Sequence, residues 1–182
     1  MKKFLLTGLL AVAGLAAHSQ SNSVLVYGNL GIHSARTAAG VKANSFSFTP
    51  GVGYQFNDHW TGGVNLKTES AKSGLPQIKS TAFSAGPFVR CAFPLSGIFA
   101  VYGQLNTNWS TAKVGSVKSN GFEGVLFPAI GVNLKNGFAL NFNFGSLAFV
   151  TSQVKAESGS SSRFGLDFGS GAGFGISKNF GL

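Results

Sequence analysis

Few residues in this chain are of the types that do covalent chemistry, and their spacing assigns them little. The three histidines are His18, His33 and His59. His33 with a serine and Glu69 would be raw material for a hydrolytic triad, but a triad needs three groups converging on one point and no spacing marks one here. No catalytic residue is therefore assigned, and the chain is read as non-enzymatic. The single cysteine, Cys91, excludes an internal disulfide framework, and with so few histidines it cannot complete a zinc-ligand spacing. Cys91 shares its parity with Val89 and Phe93 and reads as a small apolar side chain. The stretch Gly169-Ser170-Gly171-Ala172-Gly173 has the glycines of a phosphate loop without the spacing or the following helix. No cofactor or metal is implied.

The charged residues form two groups whose meaning depends on the elements that carry them. Lys67, Glu69, Arg90, Glu123 and Asp167 fall among Gln55, Asn65, Gln104, Asn106, Asn141 and Asn143 on the polar side of alternating segments. Arg36, Lys42, Lys72, Lys79, Lys113, Lys118, Lys155 and Arg163 fall in the polar stretches between those segments, where Glu157 is the acidic residue, with Glu69 close by. The net charge of +9 is therefore concentrated at particular places along the chain.

The first such place is the N-terminus. Lys2 and Lys3 followed by the apolar run Phe4 to Ala17 and the small-residue site Ala17-His18-Ser19 make a secretory signal peptide, residues 1–19, leaving residues 20–182 as one exported domain. The apolar run is shorter than the roughly 20 residues of a spanning helix, so it is not a retained anchor. An exported chain does not meet nucleic acid, and its basic character points to an anionic membrane surface instead. Composition agrees: 26 glycines and 18 phenylalanines accompany only 10% charged residues, well below the roughly 25% of an ordinary soluble domain.

Beyond residue 20 no run of apolar residues is long enough for a membrane helix, and the dominant signal has period two. Phe46, Phe48, Pro50, Val52, Tyr54 and Phe56 alternate with Ser45, Ser47, Thr49, Gly51, Gly53 and Gln55. Similar alternation continues from Trp60, through Phe83 to Phe93, Phe99 to Trp109, Phe122 to Leu134, Phe138 to Phe144 and Phe164 to Phe180. A weaker segment lies at about Ser23 to His33, where Leu25 and Tyr27 sit opposite Val24, Val26, Leu30 and Ile32. Phe88, Val125 and Phe127 also break the pattern, each falling in a polar row. Short turns are expected at 57–59, 94–97 and 135–137, and longer polar loops near 34–43, 70–79, 111–120 and 152–162.

Eight such segments with connections short at one end and long at the other predict an all-β fold, an eight-stranded antiparallel up-and-down transmembrane β-barrel. An open edge in hydrocarbon would strand backbone groups at several kcal/mol each, so the first and last strands are expected to pair. At about 3.3 Å per residue and a tilt near 45°, Phe46 to Phe56 covers roughly 23 Å along the membrane normal, the height of an apolar band. Aromatic girdles are expected at Tyr54, Phe56, Trp60, Phe93, Phe99, Phe138 and Phe180 near the short turns, and at Phe46, Phe83, Trp109, Phe122 and Phe164 near the loops.

With those strands in hand, the chain resembles the small eight-stranded outer-membrane barrels typified by OmpX and the transmembrane domain of OmpA. The segment Gly86-Pro87-Phe88-Val89-Arg90, a short turn and a further alternating strand carry the likeness. The C-terminal strand, with Phe174, Ile176 and Phe180, resembles the signal read by the barrel-insertion machinery, from which Gly181-Leu182 after the last phenylalanine departs. The resemblance implies a monomeric outer-membrane protein. In such a barrel Lys67, Glu69, Arg90, Glu123 and Asp167 would form a lumen network, because side chains fill so narrow a bore and buried charges must be paired. The eight basic residues would line the external end, where lipopolysaccharide phosphates or another cell's surface would meet them. Two alternatives stay open on the sequence: a small channel through the lumen, and a soluble exported barrel whose phenylalanines face inward around an apolar ligand.

Overall fold

The computed structural model describes residues 22–36, 41–74, 76–154 and 159–181; residues 1–19, expected to be a signal peptide, and Lys155 and Glu157 lie outside the described residues. Eight strands follow one another: β1 (Ser23–Arg36), β2 (Lys42–Gln55), β3 (Trp60–Ser73), β4 (Ile78–Pro94), β5 (Phe99–Val114), β6 (Val117–Asn133), β7 (Phe138–Val154) and β8 (Ser160–Gly181), with a 3₁₀ turn at Lys135–Gly137 before β7. All neighbours are antiparallel and the sheet closes on itself. The closing seam runs from Ser23↔Gly181 to Leu30↔Phe174.

The short turns are built by side chains that replace backbone partners. Asn57 Oδ1 accepts hydrogen bonds from the backbone N–H groups of His59 and Trp60, at 2.9 and 2.8 Å. Ser96 Oγ does the same for Ile98 and Phe99. At the third turn Asn136 and Gly137 adopt positive φ of 60° and 76°, the conformation that asparagine and glycine tolerate best.

The other end differs from the expected long loops. β3 continues to Ser73 and β4 begins at Ile78, while Gly115-Ser116 alone separates β5 from β6. The polar stretches 70–79 and 111–120 are thus mostly strand, a ladder prolonged beyond the apolar band by residues such as Thr111 and Lys113. Their lack of apolar contrast hides the alternation, whereas backbone pairing continues regardless of what the side chains are.

Outward positions carry the expected stripe: Phe46, Tyr54, Trp60, Phe83, Phe93, Phe99 and Leu105 are each more than 40% exposed. The phenylalanine-rich face is therefore on the outside, so these rings do not line the internal apolar cavity that the soluble alternative requires. Cys91 lies on this face, opposite Trp60 on one side and Gly103 on the other.

Three prolines, Pro50, Pro87 and Pro128, sit on this outward stripe, and the ladder is interrupted beside each of them. Proline has no N–H to give, which is why it belongs at such gaps. Beside Pro128 the register shifts as well: Leu126 faces Leu147, but Ala129 faces Asn143. The same region of β7 is irregular on its other side, where β8 spends Gly169 to Ala172 against the single residue Phe144. The simple alternation read for Phe138 to Gly145 therefore fails after Asn143. Gly145 lies opposite Phe168, and the outward residues farther along β7 are Leu147 and Phe149.

The core occupies the bore, and it is built from the residues that break the period-two pattern. Leu25, Tyr27 and Phe88 form one buried cluster, and Tyr102, Phe127 and Ala129 another. The Phe88 ring, 2% exposed, meets Tyr27 edge-on at 5.3 Å and lies over glycines of the adjoining strands β3 and β2. A Cβ at Gly53 would sit 2.7 Å from Phe88 Cζ, and one at Gly63 would sit 2.7 Å from Phe88 Cε1 and collide with the Val52 carbonyl oxygen. Tyr27 packs over Gly51 in the same way.

Two outcomes follow from this interior. Gly63→Ala should lower stability by about 1–3 kcal/mol, the usual range for overpacking, as read by denaturant unfolding in detergent. Gly103→Ala, where the added Cβ meets nothing within 4 Å, should leave stability unchanged or raise it by about 0.5–1 kcal/mol. Because Gln104 at mid-strand is fully buried and Phe88 nearly so, the protein reconstituted in planar bilayers should show no defined conductance steps; regular steps would mean that the plug opens.

Candidate functional site

The ionisable residues of the bore divide between two levels. At one, Arg90 is 7% exposed; its Nε donates to Gln104 Oε1 at 2.8 Å, and its guanidinium lies 4.2 Å from the centroid of Tyr102 and 5.2 Å from that of Tyr27. Gln104 Nε2 in turn donates to the Tyr27 hydroxyl and to Asn106 Oδ1. A buried cation is thus held by one amide and two ring faces, without a carboxylate in contact among the described residues. At the other level Lys67 meets Glu69 at 3.0 Å and Glu123 at 3.9 Å, and Glu123 Oε1 accepts from Ser84 Oγ and Asn108 Nδ2. Lys67, Glu69 and Glu123 are therefore brought together, while Arg90 stands apart from them. Asp167 on β8, opposite Ser146 on β7, is exposed.

Of the neutral polar residues, Gln55 accepts from Ser23 Oγ and Asn141 donates to Ser177 Oγ. Asn65 is 1% exposed, yet neither its Oδ1 nor its Nδ2 has a protein partner, an arrangement that a buried water would satisfy. His59 Nδ1 contacts the Ala92 carbonyl oxygen at 2.9 Å, and its ring packs 5.1 Å from that of Phe93. Among the described residues no group of three or more His, Cys, Asp and Glu could hold a metal.

The basic residues have a geometry that the sequence hides. Arg36 faces Lys42 across β1–β2, Lys72 faces Lys79 across β3–β4, and Lys113 faces Lys118 across β5–β6. All six are exposed, and all share the parity of the outward apolar stripe on their strands. Arg163 departs from them: it lies next to the outward Phe164 with opposite parity, and faces Val150.

Each of these hairpins reads in the same order toward its tip. On β5–β6 the outward pairs are Trp109↔Phe122, then Thr111↔Asn120, then Lys113↔Lys118. On β3–β4 they are Thr68↔Phe83, Ser70↔Thr81 and Lys72↔Lys79; on β1–β2, Ile32↔Phe46, Ser34↔Asn44 and Arg36↔Lys42. The cations lie four residues beyond the last apolar row, which at about 3.3 Å per residue and a tilt near 45° is roughly 9 Å along the membrane normal. That places them at the outer margin of the headgroup layer, since headgroups add about 5–8 Å to each side of the hydrocarbon. The β7–β8 hairpin keeps the first two rows, Phe149↔Phe164 and Thr151↔Ser162, and ends on Gln153↔Ser160.

The aromatic residues expected near the short turns share that end. Tyr54, Phe56, Trp60, Phe93, Phe99 and Phe138 are outward and partly exposed, and Lys178 lies over the Phe138 and Phe180 rings at 4.4 and 4.9 Å. The loop-end set includes Trp109 and Phe164, at 68% and 67% exposure.

The structure is similar to that of Neisserial surface protein A, with 13% identity, 86% of this chain and 94% of that chain covered, and a TM-score of 0.47. It is also similar to the Yersinia pestis outer membrane protein Ail, with 14% identity, 88% and 100% coverage, and a TM-score of 0.33. The β domain of the Bordetella autotransporter BrkA matches with 9% identity, 90% and 100% coverage, and a TM-score of 0.35. No curated protein sequence matches the chain. The family model described as outer membrane protein beta-barrel domain matches residues 4–182, and the chain belongs to that family.

Proposed function

We propose that this outer-membrane barrel acts at the external surface by engaging the phosphates of lipopolysaccharide with its outward-facing cations, a structural and surface role without catalysis. The observation that carries the reading is the register: three cross-strand pairs bring like charges directly opposite one another. Such pairs destabilise a sheet, by up to about 1 kcal/mol each. None of the six cations has an acidic partner within salt-bridge reach among the described residues, where both ion pairs belong to Lys67. A phosphate between two cations removes the repulsion and adds charge-assisted hydrogen bonds. Height and direction support the same partner, since the pairs face the surrounding membrane at the outer margin of the headgroup layer. Interaction through extended loops, such as adhesion to another cell, has less support, because the β3–β4 and β5–β6 connections are short hairpin turns.

Lipopolysaccharide should therefore bind the detergent-solubilised protein with an affinity that falls steeply as salt rises. Replacing Arg36, Lys42, Lys72, Lys79, Lys113 and Lys118 together with alanine should weaken it at least tenfold. Heat-modifiable gel migration serves as the check that the variant still folds. An affinity unchanged by the six substitutions would remove the proposal.

A further inference from the structure

The β5–β6 hairpin and the adjoining edge of β4 carry more than two lysines. The outer wall sinks there into a cleft of about 320 Å³ whose outward lining is Thr81, Phe83, Thr111, Lys113, Lys118 and Asn120. Thr81 faces Lys113 and Phe83 faces Thr111 across β4–β5, so three strands supply one surface. Its chemistry is sorted by height. The ring of Phe83 lies at the membrane side, with Trp109 and Phe122 packed edge-on at 6.0 Å beside it. Hydroxyl and amide groups come next, and the two ammonium groups last.

We infer that this cleft is a specific seat for one phosphorylated sugar headgroup of lipid A, a proposal that rests on the lipopolysaccharide reading above. The three layers correspond to the three parts of such a ligand: acyl chain roots against the aromatic rings, sugar hydroxyls against Thr81, Thr111 and Asn120, and a phosphate between Lys113 and Lys118. The charge matches, because a phosphate monoester carries about −1.5 to −2 near neutral pH and two lysines stand opposite it. The volume matches too, lying within the roughly 300–1,000 Å³ of small-molecule sites.

The polar layer distinguishes this hairpin from β1–β2. There the corresponding Ser34 and Asn44 already bond each other at 2.8 Å. Thr81, Thr111 and Asn120 make no side-chain hydrogen bond to another described residue, and so present free donors and acceptors toward the cleft. Lys113 and Lys118 likewise have no carboxylate within salt-bridge reach among the described residues.

The test uses the folded full-length protein in detergent, with bisphosphorylated lipid A and chemically dephosphorylated lipid A as probes in a surface-binding measurement. Three variants are compared: Lys113→Ala with Lys118→Ala, Lys72→Ala with Lys79→Ala, and Thr111→Val with Asn120→Leu. The first should lose at least tenfold in affinity for phosphorylated lipid A and bind the dephosphorylated form as the unsubstituted protein does. The second should lose less than threefold, and the third should lose threefold or more with its salt dependence intact. Equal losses from the two lysine pairs would overturn the cleft while leaving the cationic belt standing. No loss from either pair would remove both. Displacement of lipid A by an equal concentration of inorganic phosphate would make the cleft a phosphate site and overturn the lipid assignment.

Discussion

Backbone hydrogen bonding in hydrocarbon is the constraint from which the rest of this structure follows. A strand edge left open in lipid costs several kcal/mol for each unsatisfied group, so eight strands must close, and β8 must come back to β1. Closure fixes the direction of every side chain, because alternate residues point to alternate faces. It also limits where proline can stand. Pro50, Pro87 and Pro128 all lie on the outward stripe beside interrupted stretches of ladder, and β7 changes face near Phe144, where its register shifts against both β6 and β8.

Once the outside is committed to lipid, the narrow inside must fill itself. Polar side chains alone would leave donors and acceptors in competition, and charge there carries a desolvation cost. The bore divides the problem by level. Tyr27, Phe88, Tyr102 and Phe127 supply bulk, and glycines at 51, 53 and 63 make room for two of those rings. Arg90 is then held between tyrosine faces with Gln104 on its Nε, an arrangement that stabilises a cation without a second buried charge. The carboxylates cluster elsewhere, around Lys67, where Ser84 and Asn108 complete the coordination of Glu123.

The strand count, the antiparallel order and the outward stripe were legible in the sequence because lipid on one side and packed bore on the other impose a contrast with period two. Phe88, Phe127, Leu25 and Tyr27 were visible too, as blemishes in that alternation. They are the plug, and an aromatic residue in the polar row of a narrow barrel is the signal that marks it. The extent of the strands beyond the membrane was not legible. Between residues 111 and 120 the outward row turns polar, so apolar side chains no longer mark the outward direction, and the ladder continues on backbone bonding alone. The separation of Arg90 from Lys67, Glu69 and Glu123 was hidden for another reason: all four share the inward parity, and only the stagger between strands sets their heights.

The pairing of the cations shows how a turn can make a site. Lys113 and Lys118 are five residues apart, a spacing with no meaning in itself. A two-residue connection at Gly115-Ser116, with Gly115 at φ 59°, folds the chain so that each lysine becomes the other's cross-strand partner. A connection one residue longer would change their opposition, and with it the alignment of Thr111 with Asn120 and of Trp109 with Phe122. One turn therefore sets rings against rings, hydroxyl against amide, and charge against charge. Under the proposed lipopolysaccharide reading, the outer wall would meet hydrocarbon, interface and phosphate in that order, and the like-charge contact that a protein surface in water disfavours would become favourable where phosphate supplies the counter-charge.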